Sequence, residues 1–292
     1  SGLLCGRLPM PVVEKGLIIS DMWYYSTRRK QEMRSEKWEV MKIFFIFLFF
    51  TSYFLLLTSH FCLALSGEEI IRYQSELKDK PVGERIAFWA EKFVGIPYDN
   101  DPMGEYVSKA VIVADERVDC MYLTFRAVEL ALSNTPDESI EIALDKRFHA
   151  KGILKDNKVM NYDDRFEYGE DMIYSGKWGN EITSDIGRIR KIKGSRGTSL
   201  TDMITPEELI KGIKNLKSGD IIFFVKDPKK RSAQEIVGHI GIVKTENRKE
   251  NREVYLIHAS GTKGKGGAVK KVLFKNYIRK MPFIGAKIAR LR

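Results

Sequence analysis

The hydrophobic pattern divides the chain into an early apolar block, a run of helical periods and a late series of short strand-like runs. The apolar block is Ile43 to Leu57. From Gly67, Ile70, Ile71, Tyr73 and Leu77 recur at helical spacing until Lys80-Pro81-Val82-Gly83 ends the run. Ile86, Ala87, Trp89, Ala90 and Phe93 predict a second helix, and Gly95-Ile96-Pro97-Tyr98 breaks it, placing Tyr98 in a loop. Lys109 to Ala114 reads as a short β-branched run, followed by a polar loop at 115–119. From Cys120 to Ser133, Leu123, Ala127, Leu130 and Ala131 share one helical face with Phe125, Val128 and Leu132 beside it, which predicts a helix buried on more than one side. Residues 134 to about 217 are the least periodic and read as an insertion with short helices, one of them opened by Thr205 and Pro206. Strands are predicted at Ile221 to Val225, His239 to Thr245, Val254 to His258, Val269 to Phe274 and Phe283 to Ala289, with turns at Glu246 to Glu253 and Gly261 to Gly267. Helices first and a strand meander afterwards predict one α+β domain over 67–292.

The early block changes how the rest is read. Met41-Lys42, the apolar run and Ala64-Leu65-Ser66 have the layout of a secretory signal cleaved after Ser66, so 41–66 is expected to be a signal peptide. The alternative is an uncleaved membrane tether, since Ile43 to Leu65 holds 23 residues without a charged side chain. Cys62 is a weaker lipoprotein candidate because bulky Phe61 precedes it. Residues 1–40 lack a period or a membrane signal and read as a non-native or mis-assigned extension. An exported or envelope location follows.

At 292 residues, 43% hydrophobic and 30% charged, the chain can bury a sizeable core. Its net charge of +10 favours anionic partners, and most of that charge lies after residue 66, where 41 Lys and Arg face 34 Asp and Glu. No zinc-finger spacing, RNA-recognition motif or dense basic tract interleaved with aromatics is present, which argues against nucleic acid as the partner. Nothing indicates a repeat or a second copy, and a monomer is expected.

Of the three cysteines, Cys5 and Cys62 fall in the removable region, so Cys120 has no internal disulfide partner after export; it reads as a nucleophile or as an inert buried thiol. Its place on the first helical turn supplies backbone N–H groups and the positive dipole end that favour a thiolate, with Asp119 suited to the N-cap. After residue 66 lie three histidines. His149, in the insertion, reads as a surface residue. His239 and His258 lie on adjacent predicted strands, His239 in phase with Val243 and His258 with Leu256, where a sheet would face the Cys120 helix. A thiol hydrolase needs a thiolate, an imidazole and a group that orients it. A Cys-His-His zinc site is the competing chemistry, but paired cysteines and an HExxH run are lacking; no metal and no cofactor are expected.

The segments 93–98 (Phe-Val-Gly-Ile-Pro-Tyr), Val118-Asp119-Cys120, 216–224 (Leu-Lys-Ser-Gly-Asp-Ile-Ile-Phe-Phe), 238–243 (Gly-His-Ile-Gly-Ile-Val) and 256–260 (Leu-Ile-His-Ala-Ser) resemble, in order, the motifs of NlpC-type cell-wall cysteine peptidases. The insertion, with Asp164 to Tyr168 and Trp178, is similar to the N-acetylmuramoyl-L-alanine amidase branch of that superfamily. The resemblance implies a papain-like fold, with helices packed on a mostly antiparallel sheet. It implies Cys120 as nucleophile, His239 as base and then acid, His258 as orienter and Tyr98 lining the site as an oxyanion donor. Arg165, Tyr168 and Trp178 become substrate-binding candidates, Arg165 as a clamp for a stem-peptide carboxylate. The implied activity is hydrolysis of peptidoglycan or its muropeptide fragments at the amide joining N-acetylmuramic acid to L-alanine. The alternatives are an endopeptidase cutting within the stem peptide and a catalytically silent wall-binding module. The chain departs from the family pattern after the cysteine: Met121 stands where a small hydroxyl residue is usual, and the next phenylalanine, Phe125, comes five positions on.

Overall fold

The computed structural model describes Trp38, Met41, Lys42, residues 44–49 and residues 65–292 apart from 233, 249, 250 and 263. Residues 1–61 form one compact unit and 62–292 another. Of the first unit, the described residues are helical. Of the expected extension at 1–40 only Trp38 is described, and Cys62 and most of the apolar block lie outside the described residues. Among the described residues no helix is long and apolar enough to cross a membrane.

The second unit begins with helix α1 (Gly67–Leu77), which starts with a reciprocal cap: the Ser66 hydroxyl accepts from the Glu69 N–H, and the Glu69 carboxylate accepts from the Ser66 N–H. Helix α2 (Val82–Lys92) follows Pro81 and buries Ile86, Ala87, Trp89 and Ala90. The predicted β-branched run at 109–114 is no strand: a short helix α3 (Glu105–Ser108) precedes it, and an irregular path leads to α4 (Cys120–Leu132). Helix α4 is buried all round from Tyr122 to Ala131, packed against α2, against α5 (Pro136–Lys146) and across the sheet.

The insertion contributes more regular structure than its sequence suggests. It forms a small hairpin, β1 (Leu154–Lys155) with β2 (Lys158–Val159), then α6 (Gly169–Ser175), β3 (Asn180–Glu181), α7 (Thr183–Ile186), β4 (Ile189–Lys193), β5 (Leu200–Ile204) and α8 (Pro206–Lys211). Strands β3, β4 and β5 join the main sheet with β6 (Ile221–Val225), β7 (Val237–Arg248), β8 (Asn251–Thr262), β9 (Gly266–Leu273) and β10 (Gly285–Arg290). Every pairing in this eight-stranded sheet is antiparallel, along the order β4-β5-β10-β6-β7-β8-β9 with β3 beside β10. The segment read as a turn at 246–253 is largely strand, since β7 runs to Arg248 and β8 resumes at Asn251.

Alternation along these strands builds two cores. Ile221, Phe223, Ile240, Ile242, Ile257 and Ala259 face the helices α2 and α4, while Ile222, Phe224, Val243, Leu256 and Ile288 pack with Leu209 of α8 and with Phe274 and Ile278 of helix α9 (Phe274–Lys280). Strand β6 is apolar throughout because both of its faces are covered. The outer edge of β9 is also covered: the Gly95 N–H donates to Val269 O, the Val269 N–H to Ile96 O and the Tyr98 N–H to Gly267 O, at 2.8–3.0 Å. At the opposite edge β4 exposes Arg190, Lys191 and Lys193.

Charges sealed behind α4 fix its approach. Arg126 donates through Nε and Nη2 to Asp115 at 2.8 and 3.0 Å, and Arg147 donates through the same pair of atoms to Glu129 at 2.6 and 2.7 Å. Arg147 also donates to the Ile112 carbonyl, and the Tyr122 hydroxyl to Asp115, both at 2.8 Å, so the segment leading into Cys120 is tied to the helix it enters. Removing one member of a buried pair strands its partner's charge. Glu129→Gln is therefore expected to lower stability by about 3–5 kcal/mol in denaturant unfolding; a loss within experimental error would show that the pair is dispensable.

Candidate functional site

Cys120 is the first residue of α4, half-buried and in no disulfide. Asp119 caps the helix, its carboxylate accepting from the Tyr122 N–H at 2.8 Å, as its residue type predicts. The chain reaching this cap lies beside the Tyr98 loop: the Val118 N–H donates to Pro97 O and the Asp99 N–H to Val118 O, each at 3.1 Å. Tyr98 in turn lies against β8 at Gly261, where an added Cβ would come within 2.2 Å of the tyrosine Cγ. Glycine at 261 is thus what admits the ring, and the loop joins the cysteine's approach to the end of β8.

His239 and His258 meet. His239 Nε2 and His258 Nδ1 are 2.8 Å apart, within hydrogen-bond distance, on neighbouring strands β7 and β8. Their environment is aromatic. Phe283 is stacked on His239 at 6.1 Å, Phe224 at 6.0 Å, and Tyr277 stands edge-on to His258 at 4.8 Å. Burial in this setting pushes the His239 pKa down to about 3, with the neighbouring His258 adding to it; burial, aided by Lys270, lowers His258 to about 4. Both rings are therefore neutral near pH 7. When His239 donates from Nε2 to His258 Nδ1, its own Nδ1 is an unprotonated base and His258 holds the ring in that tautomer.

The pair does not lie in the phase that faces the Cys120 helix. Ile240, Ile242 and Ile257 take that phase, whereas His239 and His258 alternate with Val243 and Leu256 onto the side of Phe224, Tyr277 and Phe283. Two tyrosines feel the charge of the cysteine. Burial raises the Tyr277 pKa above the usual phenol range, and the charge of Cys120 raises it further. Tyr98 is raised by burial and then by Cys120, Asp119 and Asp99. The thiol is thus within electrostatic reach of both phenols, and Tyr277 also touches the histidine pair. The sequence reading missed Tyr277, although Phe274, Tyr277 and Ile278 carry the spacing of one helical face.

The insertion candidates fare differently. Trp178 is fully buried, its ring 4.9 Å from Phe125, and fastens the insertion to α4. Arg165 donates to the Tyr162 carbonyl at 3.1 Å and pairs with Glu167 at 3.0 Å. Half-buried Tyr168 precedes α6, and the Arg196 guanidinium lies 4.1 Å over its ring. Next to it, buried Glu170 accepts from the Ile236 and Val237 N–H groups at 2.9 and 3.1 Å, which fixes the start of β7 just ahead of His239. His149 is exposed, edge-on to Phe166. Among the described residues no three His, Cys, Asp or Glu side chains are grouped as a metal site requires.

No protein-family model matches the chain, and no curated protein is similar to it in sequence. Solved structures share its fold. An N-acetylmuramoyl-L-alanine amidase from Bacteroides uniformis matches with a TM-score of 0.55 at 18% identity, over 72% of this chain and 99% of that one. A Legionella pneumophila protein of the family DUF1460 matches with a TM-score of 0.57 at 17% identity, over 76% of this chain and 93% of that one. A putative xylanase from Bacteroides fragilis matches with a TM-score of 0.51 at 18% identity, over 69% of this chain and 99% of that one. The chain therefore shares a mixed helix and antiparallel-sheet fold with these structures.

Because both histidines have folded pKa values below the unfolded value near 6.5, the unfolded chain binds more protons as the pH falls. Their contribution to stability is complete above about pH 6.5 and is lost as the pH drops toward 4 and then 3. Urea midpoints measured from pH 7 to 4.5 are expected to fall less steeply in the double variant His239→Gln/His258→Gln than in the parent. Parallel slopes would count against a neutral buried pair.

Proposed function

We propose that this chain is an exported cysteine hydrolase of peptidoglycan that cleaves the amide between N-acetylmuramic acid and L-alanine of the stem peptide. The observation that carries this reading is the His239–His258 contact at 2.8 Å, in an aromatic, desolvated setting whose Tyr277 also feels the charge of Cys120, the first residue of α4. A neutral imidazole fixed by a second imidazole is the base a thiol needs. The fold shared with a named muramoyl amidase supports the substrate class, and the positive balance of the chain supports approach to an anionic wall.

The steps follow from the residues. His239 Nδ1 takes the Cys120 proton, and the thiolate sulfur adds to the lactyl amide carbon. The Cys120 backbone N–H and the Tyr98 hydroxyl, which stays protonated at neutral pH, donate to the resulting oxyanion. The imidazolium donates through Nε2 to His258 while it persists, then returns a proton from Nδ1 to the departing L-alanine nitrogen as the C–N bond breaks. Water, deprotonated by His239 Nδ1, adds to the thioester carbon; the C–S bond breaks, the lactyl carboxylate leaves, and the imidazolium returns its proton to the Cys120 sulfur. On this reading Arg165 and Tyr168 belong to the insertion's substrate wall, Arg165 exchanging Glu167 for a substrate carboxylate. The expected location is the cell envelope, with residues 41–66 as a signal peptide or the uncharged stretch Ile43 to Leu65 as a tether.

Cys120→Ala is expected to reduce muropeptide turnover by about three orders of magnitude or more, measured by mass spectrometry of the products. Unchanged turnover would refute the nucleophile. In the parent, a free muramic sugar with an intact peptide is the expected pair; fragments of the peptide would make the protein an endopeptidase, and binding without product would make it a wall-binding module.

A further inference from the structure

The end of the sheet away from the histidine pair holds a second cavity. Its volume is about 590 Å³, and Gly83, Glu84, Lys217, Thr245, Arg252 and Arg290 are among the residues that line it. Thr245 stands six residues beyond His239 on β7, about 20 Å at the rise of a strand, so the cavity is separate from the catalytic cluster. Its floor is a backbone contact. A Cβ on Gly83 would come within 2.3 Å of Ser218 O, and one on Gly219 within 2.4 Å of the Gly83 Cα, which brings the start of α2 against the turn before β6.

Hydrogen-bond donors collect around this floor. Helix α2 follows Pro81 without a side-chain cap, and among the described residues nothing accepts from the N–H groups of Val82, Gly83 and Glu84. Arg252 donates to the carbonyls of Lys214, at 2.9 Å, and Leu216, so its guanidinium is held in place without a carboxylate. Lys217, whose backbone N–H donates to Asp220 at 2.8 Å, leaves its ammonium without a carboxylate among the described residues. Of the Ser218 and Thr245 hydroxyls, 2.9 Å apart, one donates to the other and one proton is left over. Elsewhere a guanidinium this firmly held has its anion: Arg126, Arg147 and the neighbouring Arg290 each fork onto a carboxylate. The cavity also holds an acceptor, Glu84, which makes no ion pair among the described residues. Its volume lies in the range of small-molecule sites and exceeds what a single oxyanion fills.

We propose that this cavity binds a phosphorylated sugar or polyol. The phosphate takes the α2 N–H groups, Lys217 and Arg252, and a ligand hydroxyl donates to Glu84. The site does not depend on the catalytic reading. Two sources share this chemistry, a free sugar phosphate with a terminal monoester and a polymer with internal phosphodiesters.

Titration calorimetry on the full chain compares glucose 1-phosphate, a short poly(glycerol phosphate), glucose and inorganic phosphate. The parent is expected to bind one of the two esters at least about tenfold more tightly than glucose or inorganic phosphate, and the better ester identifies the source. Lys217→Met and Arg252→Met should each weaken that ester about tenfold, the scale of one charge-assisted hydrogen bond, and Arg252→Lys should weaken it less. Glu84→Gln should narrow the margin over inorganic phosphate, and Cys120→Ala should bind the ester as the parent does. Inorganic phosphate bound as tightly as the esters, unchanged binding in Lys217→Met, or binding lost in Cys120→Ala overturns the proposal. Capture of the chain by anionic phospholipid vesicles, with neither soluble ester bound, overturns it too. Lys217 is exposed, so its variant keeps the test apart from folding, and a thermal melt of each variant checks this.

Discussion

Two guanidinium groups lie sealed behind helix α4, Arg147 forked onto Glu129 and Arg126 forked onto Asp115 with Glu129 3.5 Å away, and the placement of the thiol follows from them. A buried charge without its partner costs several kcal/mol, so the Asp115–Arg126 and Glu129–Arg147 pairs allow one arrangement of the incoming segment on the helix. That arrangement leaves Asp119 as the cap and Cys120 as the first helical residue, at the end where N–H groups point outward. A helix apolar on every side could slide or rotate in its groove. The ion pairs remove that freedom.

The histidine pair is set by a different constraint, the alternation of a sheet covered on both faces. Apolar residues at 240, 242 and 257 must meet the helices, and the residues between them necessarily meet the second core. The aromatic rings of Phe224, Phe283 and Tyr277 then desolvate the imidazoles and keep them neutral. Base strength here is a by-product of packing: the rings that stabilise the second core also decide which protonation state the pair holds.

Much of this was legible in the chain. The helix at Cys120, its cap and the strands carrying His239 and His258 follow from periods and residue types that local physics enforces. The phase of the histidines relative to α4 was misjudged, because alternation says which residues share a face and cannot say which face a helix will cover. Trp178 is a binding candidate only through the resemblance of the insertion, and the structure buries it in the core against Phe125, more than fifty residues away in sequence. Strand β4 was missed because, as an edge strand, it carries charge where a central strand carries apolar residues, and β5, paired inside it, because Thr201 and Asp202 interrupt its apolar pattern. The pairing of His258 with Lys270 depends on register across a turn, which spacing alone does not determine.

The Tyr98 loop has a second occupation. By hydrogen-bonding the outer edge of β9 it shuts off a row of backbone groups that would otherwise be open to another chain, while the far edge at β4 is protected by its own lysines and arginine. Remodelling this loop toward a new substrate would therefore also uncover a sticky strand. In this architecture, drift in specificity and the risk of self-association are inherited together, and the loop is held in place by both.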